Sequence, residues 1–149
     1  MLTFDDDTRV DPEVTALLDE YACLLDRRRG TAWLELFTPD GYYLVAREAE
    51  IEQGNNVLII GEDLKRLRAR IVSGAERDRR RSVHTVGGVR CNHDATHATA
   101  SFTVWLDGRP SYCGVYRMAL ARHDGKLRIR HCEVVLFGDI VHTPIFLPV

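Results

Sequence analysis

The chain has 149 residues, of which 45% are hydrophobic and 28% charged, with a formal net charge of -2. This balance is typical of one globular domain over residues 1–149 and excludes a largely disordered chain. No stretch approaches the roughly 20 apolar residues of a membrane span, and the charge gives no general field for nucleic acid, so we expect neither a membrane nor a nucleic-acid partner.

The amino terminus and the cysteines indicate a reduced, cytoplasmic protein. Residues 1–10 are acidic at Asp5, Asp6 and Asp7 and lack the basic and apolar regions of a signal peptide. The cysteines show neither a CxxC pair nor metal-ligand spacing, and we expect them to be buried thiols. They are Cys23, Cys91, Cys113 and Cys132.

The first part of the chain predicts two helices. Asp11 before Pro12 is typical of a helix start, and apolar residues then recur at helical spacing until Gly30, which is predicted to end the helix. Thr31 is predicted to cap a second, short helix that reaches Phe37. The turn residues Asp40 and Gly41 should lead into a strand. The apolar face of the first helix comprises Val14, Leu17, Leu18, Tyr21, Leu24 and Leu25.

The middle of the chain predicts a third helix. Residues 46–56 are charged and end in Gly-Asn-Asn, which indicates a loop or hairpin before the apolar run 57–60. Helical spacing returns over residues 62–73, with Gly74 as the predicted stop. The charged residues 75–81 are predicted to be a mobile loop.

From Ser82 onward the hydrophobic period changes to two, which predicts four strands near residues 82–91, 96–106, 111–122 and 127–137. Helices followed by a meander favour an α+β fold, with three helices on one face of a bent antiparallel sheet. The last residues, 143–149, are apolar and contain two prolines. We expect them to dock in an extended form against the body of the protein or a partner.

Four stretches, taken in order, resemble a known family. They are LLDRRRGTAWLELFTPDGYYLV at 24–45, IIGEDLKRLRARI at 59–71, the histidine His84 at the start of a long strand, and DGKLRIRHCEVVL at 124–136 followed by IFL. They are similar to the small β subunits of aromatic-ring-hydroxylating dioxygenases, within the class related to nuclear transport factor 2 (NTF2) and the SnoaL-like cyclases.

The resemblance implies a fold and a function. The implied fold is an NTF2-like cone of curved antiparallel sheet closed by three helices. The implied function is a non-catalytic assembly role in aromatic catabolism, as a subunit beneath an iron-bearing dioxygenase α subunit. The chain departs from those β subunits at Tyr21, where they typically carry an acidic residue. Tyr21, Asp26 and His84 instead resemble the single-chain dehydratases, isomerases and polyketide cyclases built on the same cone.

This second hypothesis makes Tyr21, Asp26 and His84 catalytic candidates in the mouth of the cone, around a hydrophobic aromatic or polycyclic ligand. Burial in an apolar pocket raises the pKa of a carboxyl group, so either Asp26 or His84 is a candidate general base, with Tyr21 donating to an enolate oxygen. Proton abstraction beside a carbonyl requires no cofactor, and none has a motif here. Further predicted pocket residues are Trp33, Phe37 and Tyr43.

Structural roles for the same residues stay open at this stage. Tyr21 shares a helix face with core leucines, and Asp26 is about 140° around the helix from it. Asp26 also suits an ion pair with Arg27–Arg29, and His84 suits a structural role on its strand.

The turn histidines and the strand aromatics complete the candidates. His93, Asp94 and His97 offer metal-ligand atoms, but their spacing suits a helix and they fall in a predicted turn, so we expect no metal site. Trp105 and two strand tyrosines, Tyr112 and Tyr116, fit cross-strand packing or an oligomer face. We expect a dimer or trimer through the sheet face.

Overall fold

The computed structural model describes residues 7–138, 143–145 and 147–149. Asp5, Asp6 and Phe146 of the predictions above lie outside these ranges. The elements are α1 (Pro12–Asp26), α2 (Gly30–Leu34), β1 (Phe37–Arg47), α3 (Glu48–Glu52), β2 (Ile60–Asp63), α4 (Leu64–Arg77), β3 (Ser82–Cys91), β4 (His97–Leu106), β5 (Arg109–His123) and β6 (Lys126–Leu136). The predicted α+β class is confirmed, with four helices instead of three.

One curved sheet contains all six strands in the order β2-β1-β6-β5-β4-β3. The four predicted strands form the antiparallel meander β3 to β6, and two of its hairpins turn through left-handed pairs, Asp107-Gly108 and Asp124-Gly125. β1 pairs in parallel with β6 and antiparallel with β2, so the sheet contains one parallel pair that the sequence did not predict.

Helix α1 ends earlier than predicted. Asp11 caps its start by accepting hydrogen bonds from the backbone N–H groups of Glu13 and Val14. At the other end, Arg28 adopts a left-handed φ of 57° and the Arg29 N–H donates to the Leu24 carbonyl at 2.8 Å, a Schellman closure without glycine. The helix therefore stops at Asp26, and Gly30 does not end it.

Gly30 instead lets α2 approach α4. It is the first residue of α2, and a Cβ at this position would lie 2.4 Å from the Ile71 Cγ2 atom of α4. Any larger side chain would push the two helices apart, so close packing between α2 and α4 explains this glycine.

The remaining boundary corrections lie in β1 and around α4. Phe37 begins β1 and does not end α2, and Asp40-Gly41 falls where the register of β1 against β6 shifts. Residues 48–52 form α3 where a loop or hairpin was predicted. α4 continues past Gly74, which is buried inside it, and the loop before β3 shortens to residues 78–81.

An aromatic cluster fills the space between the helices and the sheet. The Trp33 ring lies 5.3 Å from Tyr21, 4.9 Å from Phe37 and 5.6 Å from Tyr43, measured between ring centroids. Tyr21 also contacts Tyr116 edge-on at 5.2 Å. α1 is thereby fixed against the sheet through aromatic contacts, which are worth more than their buried area alone.

The opposite face of the sheet carries exposed apolar groups. Trp105 is 44% exposed and lies across from Val83, which is 53% exposed. Tyr112 and Tyr116 are buried and point to the helix side, so they do not contribute to this outer face. Cys113 is also exposed, because it alternates with Tyr112 and Gly114 on β5, which corrects the prediction that all four cysteines are buried.

Among the described residues, no helix is long and apolar enough to cross a membrane.

Candidate functional site

A cavity opens between the end of α1, the end of α4 and the inner face of the sheet. The space inside it that the centres of water-sized molecules can reach is about 70 Å³. His84, Val104 and Tyr112 line it from the sheet, and Pro148 and Val149 line it from the C-terminal segment. We refer to the described residues of this segment, 143–145 and 147–149, as the C-terminal strap.

The site contains a hydrogen-bonded pair, Asp26 and His84, of which His84 lines the cavity. His84 Nδ1 lies 2.6 Å from Asp26 Oδ1, and the His84 backbone N–H donates to Asp26 Oδ2 at 2.8 Å. Ser82 Oγ also donates to Oδ1, at 2.9 Å. The carboxylate is at the last residue of α1 and the histidine on β3, so the packing of α1 on β3 brings the two together.

The pKa of Asp26 shifts in the direction opposite to our prediction. Burial alone would raise this pKa, but hydrogen bonds from the His84 side chain and backbone and from Ser82 favour the ionised form and outweigh it. The pKa of Asp26 is therefore lowered. An ionised Asp26 accepts the Nδ1 proton of His84, which leaves the lone pair on Nε2.

The other ring nitrogen of His84 is buried and unpartnered. The side chain is only 2% exposed, and Nε2 has no hydrogen-bond partner among the described residues. Burying a polar nitrogen without a partner is costly, so such an atom is a candidate for contact with a ligand. His84 also lies in the wall of the cavity.

Two tyrosine hydroxyl groups converge on Val149. Tyr21 donates to the backbone oxygen of Val149 at 2.6 Å, and Tyr43 donates to the same oxygen at 3.1 Å. The Val149 N–H in turn donates to the Tyr43 hydroxyl at 2.9 Å. Burial raises the pKa of both tyrosines well above the ordinary value, so both phenols are protonated donors at neutral pH.

The predicted site residues thus fall into two groups, with Val149 between them. Asp26 and His84 form one group, and Tyr21 belongs to the aromatic cluster together with Trp33, Phe37 and Tyr43. Of these six residues, only His84 is among the described residues that line the cavity. Val149 lines the same cavity and is bonded to Tyr21 and Tyr43, so it separates the phenols from the histidine.

Two arginines from distant parts of the chain, Arg28 and Arg80, lie together in the wall of the cavity. Arg28 donates to the backbone carbonyls of Ala75, Asp78 and Arg80 at 2.5–3.4 Å. Arg80 pairs with the buried Asp78, and its hydrogen bonds lower the pKa of that carboxyl group. The loop 78–81, predicted to be mobile, is therefore tied to the end of α1.

Sequence reasoning also missed the strap as part of the site. Arg80 and Tyr112 donate to its carbonyl groups, and Val149 reaches the two tyrosines of the aromatic cluster. The apolar, proline-containing sequence predicted docking, but nothing in it indicated the place. Ser82 had no signal either, because serine at a strand start is ordinary.

The turn histidines do not converge on a metal site. Asp94 accepts hydrogen bonds from Thr96 inside the turn, and His97 begins β4. No group of three or more His, Cys, Asp or Glu side chains in the described part of the chain is arranged to hold a metal ion.

Comparison with protein families identifies the chain. A model described as a SnoaL-like domain matches residues 7–133. The chain belongs to the SnoaL-like family. No curated protein matches it by sequence. The SnoaL-like assignment agrees with the curved sheet and the covering helices, and it confirms the superfamily expected from the sequence.

Solved structures share this SnoaL-like fold at low identity. A protein from Novosphingobium aromaticivorans, described as the β subunit of an aromatic-ring-hydroxylating dioxygenase, superposes with a TM-score of 0.76 at 21% identity, covering 89% of this chain and 95% of its own. The β subunit of benzoate 1,2-dioxygenase from Burkholderia mallei gives 0.67 at 21%, covering 91% and 99%. A protein from N. aromaticivorans described as a scytalone dehydratase gives 0.67 at 14%, covering 88% and 86%.

Proposed function

We propose that this SnoaL-like protein is a cofactor-independent lyase or isomerase that abstracts a proton beside a carbonyl group. The observation that supports it most directly is the Asp26–His84 pair, in which Nδ1 faces a carboxylate at 2.6 Å and Nε2 is buried without a partner in the described part of the chain. This is the arrangement of an oriented general base, whose tautomer is set by the neighbouring carboxylate.

In this mechanism each residue has a separate task. His84 Nε2 takes a proton from the carbon next to the ligand carbonyl; the electron pair of that C–H bond forms a C=C bond, and the π pair of the carbonyl moves onto its oxygen to give an enolate. Tyr21 donates a hydrogen bond to the enolate oxygen once Val149 has left that position. Asp26 stays ionised and stabilises the imidazolium that forms, which is consistent with its lowered pKa. The apolar side chains that line the cavity, among them Ile71, Val104 and Leu106, suit a hydrophobic ligand.

Deuterium exchange tests this proposal without knowledge of the natural substrate. In D₂O, the protein should catalyse the exchange of the α-protons of an aromatic ketone for deuterium, and NMR of the ketone measures the rate of this exchange. His84→Gln should lower the exchange rate by about 10²–10⁴-fold, which is the usual contribution of a general base. His93→Gln, at an exposed turn position, is the matched control and should leave the rate unchanged. Equal rates in both variants would contradict the proposal.

A second candidate function is that of a structural β subunit of a ring-hydroxylating dioxygenase. Two observations favour it: the TM-score of 0.76 to a protein described as such a subunit, and the strap, which fills part of the cone. In this role the protein would assemble with copies of itself through the outer sheet face and with an iron-bearing α subunit.

Co-expression separates the two candidates. A structural subunit should co-elute with a dioxygenase α subunit from the same genome, with iron in the shared peak, and His84→Gln should not change this. Trp105→Ser should weaken assembly and leave proton exchange intact, since Trp105 lies on the outer face. Elution apart from every such α subunit would contradict the structural role.

A further inference from the structure

The C-terminal strap is held at both of its ends by side chains that bind its backbone. At its start, Tyr112 donates to the Thr143 carbonyl oxygen at 2.7 Å, and Arg80 donates to the Pro144 carbonyl oxygen at 2.8 Å. At its far end, Val149 is bound by Tyr21 and Tyr43. We call the first set of contacts the latch. It lies outside the Asp26–His84 pair, so it can be changed without touching the proposed base.

The far end of the strap presents a definite chemical pattern to the protein. The Val149 backbone oxygen accepts from both phenols, and the Val149 N–H, carried on the carbon next to the one that bears this oxygen, donates to Tyr43. Val149 is 5% exposed and packs into the hydrophobic core. The protein therefore binds an acceptor and a donor on adjacent carbons, next to a small apolar group.

The two phenols need an occupant at this place. Both are fully buried, and a buried hydroxyl that loses its partner costs the full desolvation of that group. When Val149 leaves, both phenols lose the oxygen to which they donate, and water or a ligand must accept these hydrogen bonds in its place. Because His84 and Val149 line the same cavity, a ligand that replaces Val149 would also face His84.

We propose that the strap is an internal competitor for the ligand of this cavity. The ligand class it imitates is an apolar compound with an acceptor oxygen on one carbon and a hydroxyl or amino group on the adjacent carbon. This inference rests on the proposed function only in assigning the ligand to the same cavity, and it concerns binding, not proton transfer. Ligand and strap exclude each other at the Tyr21 and Tyr43 hydroxyl groups.

Calorimetric titration of the full chain with 2-hydroxyacetophenone tests the proposal. Tyr112→Phe removes a latch hydrogen bond and should raise the fraction of molecules with an open strap, so 2-hydroxyacetophenone should bind roughly three- to tenfold more tightly. Tyr42→Phe is the matched control: it makes the same chemical change on the face of β1 opposite to Tyr43, away from the described lining of the cavity, and should leave affinity unchanged.

A ligand pair tests the recognition pattern. Acetophenone lacks the donor on the adjacent carbon and should bind more weakly than 2-hydroxyacetophenone. Tyr43→Phe should remove this preference, because Tyr43 is the group that accepts from the Val149 N–H. Equal affinities of the two compounds for the unmodified chain would overturn the assigned ligand class.

Hydrogen exchange shows whether the ligand displaces the strap. Exchange at residues 143–149 should become faster when 2-hydroxyacetophenone binds, although bound ligands usually slow exchange at their site. Binding without faster strap exchange, or no binding to any folded variant, would overturn the inference. His84→Gln should keep the binding and lose proton exchange, so failure of the proposed reaction is distinguishable from failure of this inference.

Discussion

Replacing Asp26 by Asn should remove the proposed base while leaving the fold in place. Asp26 Oδ2 accepts from the backbone N–H of His84, which cannot reverse its polarity, so the asparagine oxygen must stay there. The amide nitrogen then replaces Oδ1 and faces His84 Nδ1 and Ser82 Oγ. The serine hydroxyl can rotate to accept, but the histidine must shift its proton from Nδ1 to Nε2, and the lone pair needed for catalysis is lost.

The stability cost of Asp26→Asn follows from the three hydrogen bonds. A bond to a charged acceptor contributes about 1.5–3 kcal/mol and a neutral one about 1 kcal/mol. Asp26→Asn replaces three hydrogen bonds to a charged acceptor by three neutral ones. Allowing for the partial exposure of Asp26, this should lower the free energy of unfolding by about 1–3 kcal/mol at pH 7. Proton exchange of an aromatic ketone should fall by at least about 10²-fold, which is the contribution of a general base.

The cost should depend on pH in a defined direction. Because the folded pKa of Asp26 is lowered, the unfolded chain binds its proton first as the pH falls, and the stabilisation is lost below about pH 4, through the folded pKa. Urea unfolding should therefore separate Asp26→Asn from the unmodified chain at pH 7, with a smaller difference at pH 3. Asp19→Asn, on the exposed side of the same helix, should show no difference at either pH. Undiminished proton exchange in Asp26→Asn would refute the assignment of His84 as the base.

Three further predictions use stability and assembly. Tyr43→Phe should lower the free energy of unfolding by about 2–4 kcal/mol, because two hydrogen bonds to Val149 are lost. Tyr21→Phe, which loses one hydrogen bond, should lower it by about 1 kcal/mol, and Tyr116→Phe should leave it almost unchanged. All three are measured by urea unfolding, and equal losses would contradict the hydrogen-bond assignment. Gly30→Ala should destabilise the fold by about 1–2 kcal/mol although alanine has the better helix propensity, because the alanine Cβ would lie 2.4 Å from the Ile71 side chain. Unchanged stability would show that α2 moves freely. Trp105→Ser should shift the sedimentation coefficient toward that of a monomer; an unchanged value would remove the outer sheet face from any assembly.

The meander was predictable because its determinants are local. Alternation of apolar residues sets each strand, and the Asp-Gly pairs at 107–108 and 124–125 fix the hairpin turns by their left-handed backbone. The parallel pairing of β1 with β6 joins segments far apart in the chain, and no local pattern encodes such a pairing. The end of α1 was misplaced because Arg28, not a glycine, takes the left-handed position, held there by its bonds to the loop after α4.

The candidate site could be predicted only in part, for a similar reason. Helical geometry correctly set Asp26 apart from Tyr21, and the resemblance to single-chain dehydratases and cyclases suggested His84 as a partner. The direction of the Asp26 pKa shift depended on three donors from Ser82 and His84 that become visible only in the folded protein. The place of the strap depended on two tyrosines 106 and 128 residues away from Val149 in the sequence.

The two candidate functions differ in what the strap does. In a structural subunit, Val149 would be a permanent part of the core, and its bonds to Tyr21 and Tyr43 would only stabilise the cone. In an enzyme, the same bonds would hold a removable occupant beside an oriented histidine. Among the described residues, Nε2 of His84 has no hydrogen-bond partner, but neither has the buried Tyr116 hydroxyl, so a missing partner does not by itself separate the two roles. His84 differs from Tyr116 in that it lines the cavity, where a ligand would contact Nε2, and this supports the enzyme as the proposed function.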